Sequence, residues 1–103
     1  MIQITVNEHS DKIVSLDISG HAGSDDYGHD LVCAIVSGIG TGLCNALDQL
    51  SDVDDITLEE GHIAIHVSRP DERTEMILRT GLIQLQTAEE VNKDFIIIKI
   101  SEV

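Results

Sequence analysis

Aromatic side chains are almost absent: there is no tryptophan, and Tyr27 and Phe95 are the only aromatic residues. The core must therefore be aliphatic, and either ring outside it would call for a reason. Cations are scarce as well, six Lys and Arg against 19 Asp and Glu, for a formal net charge of −13. That balance argues against a direct nucleic-acid partner, because neutralising phosphates takes Lys and Arg. A basic protein or peptide is what such a surface attracts, although an ordinary solvated acidic surface has the same composition. The apolar run at 95–98 falls far short of the roughly 20 residues that span a bilayer. The opening MIQITVNE has no basic segment, long apolar stretch or small-residue cleavage site, so no signal peptide is expected. The expected compartment is the cytoplasm. The two cysteines, Cys33 and Cys44, should stay reduced there, which leaves chemistry or packing as their job.

The 103 residues suffice for one domain, 1–103, with one modest core. A domain of this size often gains stability from a second copy, so a homodimer is expected. Residues 1–8 alternate Ile2, Ile4 and Val6 with polar neighbours, as a half-buried strand does. Residues 12–19 alternate again after a three-residue turn at 9–11, and the pair reads as a hairpin with Val14, Leu16 and Ile18 facing the core. Residues 20–29 have no periodicity. A helix follows, with Asp30 as its expected N-cap and an apolar stripe of Val32, Ile35, Val36, Ile39, Leu43, Ala46, Leu47 and Leu50. A second hairpin over 56–68 sets Ile63, Ile65 and Val67 opposite His62, Ala64, His66 and Ser68. Pro70 precedes a second helix over 71–90, striped by Leu78, Leu82, Leu85 and Ala88. The last strand, 95–101, opens on Phe-Ile-Ile-Ile, a run that suggests burial on both faces. The order ββαββαβ predicts an α+β two-layer sandwich, two helices on one face of a mainly antiparallel sheet.

Residues 20–44, GHAGSDDYGHDLVCAIVSGIGTGLC, carry the chemistry. With Asp30 as the cap, Cys33 falls in the first helical turn, where unpaired N–H groups and the helix dipole favour a thiolate. Those N–H groups would also form an oxyanion hole. Spacing puts Asp30, Ser37, Gly40 and Cys44 on the Cys33 face, a small and polar face opposite the apolar one. Cys44 lies roughly 16 Å further along the axis, which excludes a disulfide and leaves it as a packing residue. His21 and His29 both qualify as the base. Asp25 and Asp26 are read as solvated, and Tyr27 either lines a peptide pocket or packs over its loop. A zinc site from His21, His29 and Cys33 matches no common ligand spacing, and no cofactor is expected. An isolated cysteine is also commonly a packing residue. Gly38, Gly40 and Gly42 each cost about 1 kcal/mol in a helix, so a backbone, a substrate or a second copy must come close.

The sequence Gly20-His21-Ala22, then Gly28, Asp30-Leu31-Val32-Cys33-Ala34 and Ser37, resembles the ribosomal-processing cysteine proteases, the Prp family. The family pattern is a Gly-His pair, a short loop and Gly-x-Asp-[Ile/Leu]-Val-Cys-Ala-x-x-Ser. The resemblance implies His21 as general base and Cys33 as nucleophile, with Asp30 and Ser37 supporting the site. It implies a mobile substrate loop that includes Gly23, Tyr27 and Gly28, and a dimer. It also implies the substrate: the N-terminal extension of the twenty-seventh large-subunit ribosomal protein. The competing reading is a non-catalytic ribosome-assembly module whose thiol is structural or redox-sensing.

Overall fold

The structure, a computed structural model, describes residues 1–20 and 27–103, and of 27–30 the backbone only. The elements are β1 (Ile2–His9), β2 (Lys12–Ser19), α1 (Tyr27–Leu50), β3 (Asp55–Glu59), β4 (His62–His66), α2 (Glu72–Val91) and β5 (Ile96–Glu102). The strands form one sheet in the order β3-β4-β2-β1-β5. All neighbours are antiparallel except β1 and β5. This is the expected ββαββαβ sandwich. α1 lies over β3 and β4, α2 over β2 and β5, and the two helices pack on each other.

Period-2 alternation sets which face is covered. Ile2, Ile4 and Val6 are buried under the helices while Gln3 and Thr5 are exposed behind them. Ile63, Ile65 and Val67 are buried on the same side as expected. His62 and His66 stand on the open face, 3.1 Å from Asp17 and 3.5 Å from Asp55.

Two strand expectations need correction. In β2 the register runs from Asn7↔Ser15 to Glu8↔Ile13, so Val14 is an extra residue. The bulge turns Ile13 into the core, fully buried, and leaves Val14 half-buried. The turn before β2 is Ser10-Asp11, both at positive φ, the two-residue geometry that matches strand twist. β5 is an edge strand with one face covered: Ile96 is buried and Ile97 is exposed. Its unbroken apolar run thus leaves one isoleucine on the open face. Phe95 packs against the core.

α1 departs further from expectation. It begins at Tyr27, so Asp30 is an internal helical residue and not the N-cap. Cys33 is then the seventh residue of the helix, beyond the first turn. Val32, Val36, Leu43 and Leu47 are buried as the stripe predicts, but Ile35 and Leu50 are exposed. Over Leu31–Leu50 the helix is long and apolar enough to cross a membrane by length and composition, a property the shorter apolar runs did not suggest. Its buried face is spent on the sheet and α2.

α2 starts where its sequence directs. Asp71 is the N-cap: its side chain accepts the Thr74 N–H at 2.8 Å, and Thr74 Oγ1 accepts the Asp71 N–H at 3.0 Å. One residue on, Glu75 accepts the Ile13 N–H at 2.8 Å, beside the β2 bulge, and Arg79 Nε at 2.8 Å. Arg79 Nη1 also reaches Glu8 at 2.6 Å. The Glu75 hydrogen bond is the main cause that raises the Arg79 guanidinium above its usual pKa, with burial opposing it.

The charged bridge fastens α2 to the bulged hairpin. Glu75→Ala strands the Ile13 N–H and should cost about 1–3 kcal/mol in urea unfolding. Arg79→Met removes only a partly exposed ion pair and should cost about 1 kcal/mol or less. Equal losses in the two variants would show that the Ile13 contact adds nothing.

Candidate active site

α1 approaches the sheet closely because Gly40 has no side chain. A Cβ there would stand 2.6 Å from Ile63 Cδ1 and 3.0 Å from Ile18 Cδ1. Gly81 plays the matching part on α2, where a Cβ would meet Leu43 Cδ2 at 2.6 Å. Gly38 and Gly42 are different, with nothing within 4 Å of an added Cβ. The three helix glycines thus have two roles: Gly40 seats the helix, and the other two open onto its outer side.

This seating corrects the face on which Cys33 was placed. Gly40 and Cys44 are buried against the sheet side, so the line through Cys33, Gly40 and Cys44 leans inward rather than away from the core. Small residues fill it because Ile18 and Ile63 rise to meet it. Cys44 is the packing residue expected, and burial pushes its thiol pKa up. Cys33 sits higher on the same line, half-buried and packed against the core margin. Neither cysteine is in a disulfide.

Beside Cys33 the layers part into a cleft of about 370 Å³. α1 contributes Cys33, Ser37 and Thr41; Ser37 is exposed and one turn beyond the cysteine. The strand ends contribute Ile2, Ile18 and Gly20. The β3–β4 hairpin forms the facing wall with Leu58, Glu59, Glu60 and Gly61. A larger groove of about 780 Å³ runs between α1 and α2, past Gly38, Gly42 and Met76, and its lining holds no cysteine and no ionisable side chain. The smaller cleft is the one equipped for chemistry.

Gly20 is fixed by two constraints. Its φ is +93°, and a Cβ would lie 2.6 Å from the Met1 carbonyl oxygen. Only glycine ends β2 in this way. His21 and Gly23 lie outside the described residues. Tyr27, Gly28 and Asp30 form the start of α1. The second-turn position of Cys33 has a chemical consequence. N–H groups beyond the first four of a helix are used by its own ladder. The oxyanion donors expected around Cys33 are therefore engaged in this conformation.

The cleft brings Cys33 and Ser37 together with strand-end Gly20, and its lining includes residues the sequence reading did not name. Leu58, Glu59, Glu60 and Thr41 carry no motif. A hairpin over 56–68 was legible, but its meeting with α1 depends on the crossover that brings β4 beside β2.

Comparison with known proteins identifies the family. The family model described as cysteine protease Prp matches residues 1–97. The ribosomal processing cysteine protease Prp of Staphylococcus aureus is 39% identical over 93 residues, which cover 86% of this chain and 87% of that protein. Its Bacillus subtilis counterpart is 31% identical over 103 residues, covering 91% and 92%. A crystal structure of the S. aureus protease with a covalently linked product peptide superposes with a TM-score of 0.85 at 32% identity, covering 97% of this chain and 99% of that one. A second structure of that protease holds a substrate peptide, with a TM-score of 0.82 at 30% identity and the same coverage. By sequence along nearly all its length, and by fold, the chain belongs to the Prp family of cysteine proteases.

Proposed function

We propose that this protease removes the N-terminal extension of a large-subunit ribosomal protein, the twenty-seventh, with Cys33 as nucleophile and His21 as general base. The observation that carries the reading is the half-buried Cys33 in a cleft between α1 and the β3–β4 hairpin, with cleft-lining Gly20 directly preceding His21. His21 takes the Sγ proton, and sulfur attacks the peptide carbonyl carbon. The C–N bond breaks as His21 returns the proton to the leaving amine. Water then cleaves the thioester and restores the thiol. Asp30 and Ser37 support the site, and Gly23 borders the peptide together with Tyr27 and Gly28, which are the first residues of α1 and not part of the loop the sequence predicts. Two donors must face the tetrahedral oxygen. The net charge of −13 draws in a basic ribosomal protein, at a rate that falls as salt rises. The compartment is the cytoplasm, where the thiol stays reduced.

A second copy covers the groove between the helices. Gly38 and Gly42 leave its floor bare, and Met76 stands 70% exposed at its side. A homodimer packed here explains two glycines that the monomer does not need.

Incubating the extended ribosomal protein with wild type, Cys33→Ala, His21→Ala and His29→Ala tests the dyad. Cleavage should vanish in the first two variants and persist in the third. Cleavage surviving in Cys33→Ala sinks the mechanism, and loss in His29→Ala alone moves the base. Iodoacetamide should label Cys33 well before Cys44. Thiolate is the reactive form, and burial raises the Cys44 thiol above the ordinary 9.0, so its labelling should still be climbing with pH at that value rather than levelling off.

The dimer has its own test. Gly42→Ala should raise the stability of an isolated protomer by about 1 kcal/mol, since nothing opposes the added methyl. Gly42→Glu should shift the sedimentation mass from two chains to one. An unchanged mass in Gly42→Glu removes the groove as the interface.

A further inference from the structure

The sheet has two edges, and they are finished differently. On β5 the Ile98 N–H donates to Glu89 of α2 at 3.1 Å, and α2 packs along that strand. β3 is the other edge. It contains no proline, lysine or bulge, three devices that keep other chains off an edge. The two-residue turn Glu60-Gly61 is closed by the pair Glu59↔His62. A turn that short makes its flanking residues a hydrogen-bonded pair. Alternation then directs the N–H and C=O groups of Asp55, Thr57 and Glu59 toward β4, and those of Ile56 and Leu58 outward. Among the described residues none bonds to these outward groups.

This edge runs into the Cys33 cleft. Ile56 and Leu58 pair with Ile65 and Ile63, so their side chains share the helix-facing side of the sheet. Ile56 packs against the core, whereas Leu58 is 49% exposed and lines the cleft. Across the cleft α1 presents Cys33, Ser37 and Thr41, each about one turn beyond the last. From Cys33 to Thr41 is roughly 12 Å along the helix axis, about four residues of extended chain. The cleft thus has the length for an extended peptide, and one of its sides ends in unpaired strand backbone.

We infer that the substrate peptide, on one side of its scissile bond, docks as a sixth strand on the outer edge of β3. Its backbone pairs with the N–H and C=O groups of Ile56 and Leu58, and alternate side chains turn toward Leu58 and the cleft. A protease holds an extended segment of its substrate, and such a segment brings unpaired backbone groups of its own. Pairing satisfies both sets without reading any one side chain. This inference rests on Cys33 as the nucleophile and adds the line along which the peptide lies. A second copy is the rival occupant of the edge. Continuity of the edge with the cleft of a cysteine protease favours the peptide.

Two measurements test the docking, both with a synthetic peptide that covers the extension and the first residues after it. The first is amide hydrogen exchange by NMR on Cys33→Ala, whose fold is checked by thermal melting. Saturating peptide should slow the Ile56 and Leu58 amides about tenfold, the factor of a hydrogen bond of ordinary net strength. The Thr57 and Glu59 amides, already bonded to β4, should stay within about twofold. The second is cleavage by wild type of peptides carrying one backbone N-methyl group each. On one side of the scissile bond, rates should fall about tenfold at positions two residues apart and hold at the position between them. Unchanged exchange at Ile56 and Leu58, or losses that do not alternate, overturns the docking and leaves the protease reading standing. Slow exchange at both amides before peptide is added, deepening with protein concentration, gives the edge to a second copy and overturns it as well. If wild type leaves the unmodified peptide intact, the function proposed above falls and the docking falls with it.

Discussion

The seat of α1 on the sheet depends on one contact, Gly40 against Ile63 and Ile18. With those isoleucine methyls at 2.6 and 3.0 Å from where a Cβ would be, the helix axis lies nearer the strands than a side chain permits. A glycine in mid-helix costs about 1 kcal/mol against alanine, and the closer burial of Val36, Ile63 and Ile18 offsets it. The contact lies two helical turns beyond Cys33. It therefore sets how deep the cysteine rides against the core margin, and how wide the cleft opens in front of it. Gly81 against Leu43 is the same device between the helices, so both interfaces of α1 are defined by a missing Cβ on one partner.

From that seat the site assembles out of three elements that are distant in sequence. α1 carries Cys33. β2 ends beside it at Gly20, whose positive φ and contact with the Met1 carbonyl admit no other residue without strain. The β3–β4 hairpin arrives by pairing β4 with β2, in register from Ser15↔His66 to Ser19↔His62. That register delivers the hairpin tip to the same end of the sheet as Gly20. At the other end, the β2 bulge is held by Glu75 and Arg79 of α2. The sheet is thus fastened at one end and cleft at the other.

What was legible in the sequence follows from periodicity. Alternation at Ile2, Ile4 and Val6, and again at Ile63, Ile65 and Val67, names the covered face without error. The Asp71 cap with Thr74 is likewise local chemistry. Val14 defeats the same rule because a bulge is a property of a pair of strands, and one strand read alone continues its alternation through it. Ile97 is exposed because it shares the uncovered face of the sheet with its register partner Gln3, a fact of layering that the apolar run itself does not encode. The motif singled out Cys33, and no motif singled out Leu58, Glu59 or Glu60, because cleft residues contributed from across the fold have no spacing relation to Cys33. His21 and Gly23, read from the motif, fall outside the described residues.

The start of α1 changes the division of labour in the site. An Asp30 cap would have placed Cys33 among the unpaired N–H groups, letting the helix itself assist sulfur and oxyanion together. A start at Tyr27 moves the cysteine into the second turn, and the influence of a helix end falls off within its first turn. The helix end then gives the sulfur little electrostatic help, and the N–H groups around Cys33 are held by the helix ladder. Any help from substrate binding must come from groups outside the reacting atoms, and the described cleft offers such groups on the β3–β4 hairpin, which reaches the site only through the pairing of β4 with β2.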